Sequence, residues 1–206
     1  MNHKVNSVAN LYTSSTDLYN KVVVGTDDTS AASIERNLRE GIEELKKSWR
    51  GADAVTQINN VITVYNAVVK IKNLLASLTV ETSKIASDYR AIQMANGANL
   101  QELPKLREEA PDTLMSEYAD NYEGVNIGQD ALLGKNKIDA AETGMTGFAR
   151  EVGRYFGEIM ENWSAGPRRE EANQAFDEFI KKVPEYQKLL SDVSSSVATA
   201  LQNYGI

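Results

Sequence analysis

The sequence predicts an all-α fold of two tandem helix-turn-helix hairpins with shorter flanking helices. Counting back from Trp49, apolar residues stand 4, 7, 11 and 15 positions earlier, at Leu45, Ile42, Leu38 and Ile34, which is one face of an α-helix. Counting back from Trp163, the same offsets hold Ile159, Phe156, Val152 and Phe148. The tryptophans lie 114 residues apart and a glycine closely follows each, so each copy of the pattern occupies about half of the chain. Facing amphipathic helices joined by a short turn must bury their stripes against something.

Residues 1–29 read as an N-terminal helical or loop segment, and residues 30–95 as the first hairpin. The stretch GTDDTSAAS supplies N-cap candidates for its first helix, and Gly51 is free to take the positive φ that a tight exit requires. The second helix runs through Ile58, Val61, Ile62, Tyr65 and Val69 and continues to Ile92, so at about 1.5 Å per residue it overruns its partner by several turns. The segments VANLYTSSTDLYNKVVV and VNIGQDALLGKNKI are the candidates to cover that overhang. Residues 96–138 connect the hairpins, are long enough to travel the length of a bundle, and predict a short helix around Leu114 to Tyr118.

The second hairpin is expected over 139–206. Asp139 with Glu142 three residues on has the form of a capping box. Gly166 stands where Gly51 does, Pro167 suits a first helical turn, and Glu170 and Glu171 suit the positive end of the helix dipole. The last helix repeats the stripe with Ala172, Ala175, Phe176, Phe179 and Val183, and Pro184 predicts a kink near Ile180. Gly153 and Gly157, four apart, predict a face that another helix approaches closely, although Gly41 occupies the offset held by Tyr155 in the second copy.

Composition excludes several functions. Of 206 residues 42% are hydrophobic and 25% charged, ordinary for a folded protein, and the formal charge is -7. A nucleic-acid surface needs clustered Lys and Arg, whereas PRREE is self-neutralised and ELKKSWR follows EGIEE. Without cysteine there are no disulfides or thiolate metal sites, and with His3 as the only histidine there are no His-based triads. The acidic pairs Glu43-Glu44, Glu108-Glu109 and Glu170-Glu171 are adjacent, so on a helix they point about 100° apart and suit solvated faces better than shared acid–base work. Gly144, Gly147, Gly153 and Gly157 lack the strand and the Gly-Lys-Ser/Thr of a phosphate loop. No catalytic, cofactor or metal site is expected, and the chain reads as non-enzymatic. The most apolar run is interrupted by Asn66, Lys70, Lys72 and Asn73, short of a bilayer span, and the acidic balance opposes anionic lipid. MNHKVNSVANLYTSS lacks the apolar core of a signal peptide, so the expected location is cytoplasmic or outside the cell by a leaderless route.

Trp49-Arg50-Gly51 between two amphipathic helices resembles the WXG family, small helical hairpins linked to type VII secretion in Gram-positive bacteria and mycobacteria. The usual member is a single hairpin that dimerises into an antiparallel four-helix bundle, so the resemblance implies a fused pseudo-dimer. The second copy, Trp163-Ser164-Ala165-Gly166, is one residue longer than the motif. The family's export tag, a tyrosine with an acidic residue four positions on, is missing near the hairpin ends, where Gln93 follows Tyr89 and Leu190 follows Tyr186.

The motif residues are therefore Trp49, Gly51, Trp163 and Gly166. Each indole reads first as the last core residue of its helix, closing the hairpin end. Its functional reading, as part of a groove, comes from the resemblance, which implies protein partners such as a secretion ATPase or a co-secreted protein. The expected role is a helical interaction protein of type VII-like secretion, a monomer or a dimer of folded chains. The alternative is an intracellular structural or adaptor protein, for example of a phage or mobile element, which the missing tag favours.

Overall fold

The computed structural model describes residues 4–107 and 109–206; His3 and Glu108 lie outside the described residues. In chain order they form β1 (Lys4–Val5), α1 (Val8–Asp17) running into a π-helical turn (Leu18–Val23), α2 (Ala31–Ser48), β2 (Trp49–Arg50), α3 (Ala52–Ala95), β3 (Asn126–Ile127), α4 (Ala131–Asn162), β4 (Trp163–Ala165) and α5 (Pro167–Asn203). The fold is all-α apart from these two- and three-residue strands.

Local chemistry explains the helix starts. The Ser7 and Ser30 hydroxyls accept from the amides of Asn10 and Ser33, capping α1 and α2. Lys46 and Lys47 occupy the last turn of α2, where the dipole favours cations. Its stripe Ile34, Leu38, Ile42 and Leu45 is completely buried. The helix α5 begins at Pro167 and remains one helix through Pro184.

Contacting helices run antiparallel throughout. α2 lies on α4, with Gly41 against Gly134 and Ile138, and Ile34 against Gly144. α4 lies on α5, where Phe148 meets Phe179 edge-on and Phe156 stacks on Phe176. α5 lies on α3, with Arg168 hydrogen-bonded to Ser77. α1 and the π-turn lie on the overhanging half of α3, where the buried Ser15 and Thr82 hydroxyls are 2.6 Å apart, and so cover what α2 is too short to reach. The stretch 125–138 instead packs at the other end, against α2.

Three expectations need correction. The second helical pair starts at Ala131, not 139, so Asp139 is no cap; inside α4 it pairs with Lys135 and accepts from Ser194. The buried stripe simply continues backwards through Met145, Ala141, Ile138 and Ala131, a continuation that Gly134 and Asn136 obscured. No helix forms around Leu114 to Tyr118: residues 98–107 and 109–122 have no regular structure, and the segment through Met115 and Tyr118 runs back along α3 as an extended strap. Close helix approach occurs at Gly41 and Gly134, and Gly144 and Gly147 meet the loop before α2, whereas a Cβ at Gly157 would meet nothing within 4 Å and one at Gly153 only Phe176 at 3.8 Å.

Candidate functional site

Trp49 and Trp163 sit at the two helix-to-helix bends and are 2% and 0% exposed, so neither indole presents a binding surface. The Trp49 indole N–H finds no acceptor among the described residues. The two bends do not come together; each is closed by the strand that leads into the opposite helical pair. Trp49 and Arg50 pair antiparallel with Ile127 and Asn126, and Val5 and Lys4 pair with Trp163 and Ala165. The extra residue of the second bend is absorbed as an irregularity in that ladder, where the Ser164 hydroxyl donates to the Lys4 carbonyl at 3.1 Å.

The two glycines differ. Gly51 has φ +108°, and a Cβ there would stand 2.1 Å from the Gly124 carbonyl oxygen, so both conformation and space demand glycine. Gly166, at φ 161°, is in extended backbone open to any residue and does not take the left-handed position that Gly51 takes.

Around the first bend the strap is clamped. Arg50 donates through Nε (3.1 Å) and Nη2 (2.6 Å) to the Asp120 carboxylate, which also accepts from the Gly51 amide at 3.3 Å and the Tyr122 amide at 3.2 Å. The guanidinium lies 5.0 Å from the centre of the Tyr122 ring. The Asp120 side chain is only 3% exposed, and Arg50 holds its carboxyl below the ordinary value of 3.8 despite burial, with the two amides assisting.

Further along α3, three asparagines hold the strap by its backbone. Asn59, Asn66 and Asn73 donate through Nδ2 to the carbonyls of Tyr118, Met115 and Asp112 at 3.0, 2.9 and 2.9 Å. Their Oδ1 atoms accept from the amides of the same three residues at 2.7, 2.8 and 2.9 Å. A primary amide presents one donor and one acceptor side by side, so it can satisfy both backbone groups of one residue. Seven helical residues rise about 10.5 Å and three extended residues about 9–10 Å, which is why a seven-residue spacing on α3 matches a three-residue spacing on the strap.

A charged group locks the far end of this ladder. Lys72 reaches Glu35 on α2 at 2.5 Å and Asp112 on the strap at 2.7 Å. Burial opposes the charge on Lys72, but hydrogen bonds to Asp112 and Glu35 outweigh it and raise its pKa. Tyr65 donates to Glu35 at 3.4 Å, and burial raises its pKa, helped by the charge of Glu35.

In the sequence Asn66 and Asn73 stand out only as interruptions of an apolar run, and Asn59, Asp112 and Asp120 carry no expectation. The available signal was the repetition of asparagine every seven residues, at 59, 66 and 73, along one helix. An 18-residue window of α3 is apolar enough for a bilayer span, with mean hydropathy 1.3, yet half of it is buried within this fold. Among the described residues no group of three His, Cys, Asp or Glu is placed to hold a metal. A groove of about 610 Å3 lies between α3 and α5, lined by Lys70, Phe179, Lys182 and Tyr186 among others. No family model, curated protein or solved structure matches the chain.

Proposed function

We propose that the chain is a non-enzymatic helical interaction protein, a fused form of the WXG-type hairpin pair that serves, or is exported by, a type VII-like secretion system. The observation that carries this reading is the exchange of strands at the bends. The strand before each helical pair closes the tryptophan bend of the other, as two subunits of an antiparallel dimer would, here within one chain. The four arms then make a pseudo-dimeric antiparallel four-helix bundle. Fusion raises the effective concentration of one half for the other, so a separate subunit is not required for folding. With both indoles buried, recognition by a secretion ATPase or co-secreted protein falls to the helix surfaces and the strap.

Two measurements test the reading. A protease site placed at Gly97-Ala98-Asn99, where the chain is exposed, is expected to yield two fragments that remain one particle by native mass. A first half that stays soluble and folded alone would remove the pseudo-dimer. Fractionation of the host with and without its secretion ATPase is expected to show ATPase-dependent extracellular protein. Retention inside the cell in both strains defeats export and leaves the intracellular adaptor.

A further inference from the structure

The ladder of Asn59, Asn66 and Asn73 reads backbone, not side chains, and what it reads is a segment that contributes no buried residue. From Ala98 to Asn126 every described residue is exposed or half-buried as a whole; Leu103, Leu106, Met115 and Tyr118 are its apolar side chains packed against the core, and the Asp120 side chain is buried in its ion pair with Arg50. The strap is therefore held by polar groups and a few half-covered apolar contacts, the profile of a segment that opens without unfolding the helices beneath. Under it, α3 keeps buried apolar residues, including Ile58, Val61, Ile62, Val68 and Val69, while the hydroxyl of the buried Tyr65 also lies 3.5 Å from the Thr113 carbonyl oxygen of the strap.

The charges at the two ends of the ladder are complementary. Lys72 meets Asp112, Arg50 meets Asp120, and between them Lys46 stands 5.7 Å from the centre of the Tyr118 ring. Here the cations stand on α2, the first bend and α3, and the acids Asp112 and Asp120 on the strap, with Glu35 of α2 sharing Lys72.

We propose that this face of α3 is a peptide-binding groove that the strap occupies as a built-in competitor. Its ligand in trans is an extended segment of a partner protein with the strap's chemistry: two acids eight residues apart, and between them an apolar and an aromatic residue at the third and sixth positions after the first acid. The asparagines supply affinity for any extended backbone in this rhythm, while Lys72, Lys46 and Arg50 select the acidic and aromatic positions. The groove stands on its own geometry, whether or not the protein is exported.

The test uses the full chain and a fluorescein-labelled synthetic peptide, APDTLMSEYADNY, copied from residues 110–122. The Asp112→Asn/Asp120→Asn variant loosens the strap and leaves the groove intact. By anisotropy it is expected to bind the peptide at least about tenfold tighter than the native chain does, because the internal competitor is weakened. Adding Asn66→Ala/Asn73→Ala is expected to weaken that binding by about tenfold or more. Absence of saturable binding by the loosened chain, or binding unaffected by loss of the asparagines, overturns the proposal. Should the loosened chain not fold, hydrogen exchange on the native protein decides. The amides of Asp112, Met115 and Tyr118 are expected to exchange well before the α3 core and independently of global unfolding, whereas exchange of all together also overturns it.

Discussion

Arg50, the middle residue of the first bend, does more than fill the gap between tryptophan and glycine. It ties the bend to Asp120, 70 residues away, while the neighbouring Gly51 brings its backbone against Gly124. Replacement of Gly51 by Ala forces a side chain into a left-handed backbone and against a carbonyl oxygen, and is expected to cost at least about 2 kcal/mol in urea denaturation. Gly166→Ala meets no such backbone strain. Asp120 adds a pH dependence whose sign follows from its depressed pKa. Its contribution is complete above the unfolded value near 3.8 and is lost as pH falls through the lower folded value. Between about pH 5 and pH 3 the denaturation midpoint of the native chain is therefore expected to drop further than that of Asp120→Asn.

At the scale of elements, α4 shows how a glycine's surroundings decide its role. A Cβ at Gly144 would stand 2.3 Å from the Asp28 carbonyl oxygen, so Gly144→Ala is expected to destabilise by about 1–3 kcal/mol. At Gly157 nothing lies within 4 Å, and removing a flexible residue from the helix makes Gly157→Ala stabilising by about 0.5–1 kcal/mol. Thermal melts of the two variants check both signs. The strap is the other instructive element. Its sequence carries apolar residues at helix-compatible spacing, but Asn59, Asn66 and Asn73 offer its backbone partners that a helix would have to forgo. An extended chain takes those partners one residue in three, and the tertiary contact overrides the local preference.

For the molecule as a whole, the two halves are alike in plan and unlike in detail. The second is a continuous arm of 32 residues in α4, whereas the corresponding arm of the first is broken into α1, a π-turn and α2. That break places α1 over the overhang of α3 and sends the loop before α2 towards Gly144 and Gly147 on α4. Each half also closes the bend of the other through a strand pair, so neither is complete by itself. Cleavage of the strap at Gly97-Ala98-Asn99 is therefore expected to leave one particle by native mass.

The four long helices, their apolar stripes and the position of both bends were legible in the sequence, because the 3.6-residue period and a glycine break are local properties of the chain, whereas the helix expected around Leu114 to Tyr118 was not there. The strap's conformation, the start of α4, the choice of close-packed glycines and the pairing of Arg50 with Asp120 were decided only by the tertiary structure. These depend on groups distant in the chain, such as Asn66 and Met115 or Gly144 and Asp28, that have no reason to meet until the helices are packed.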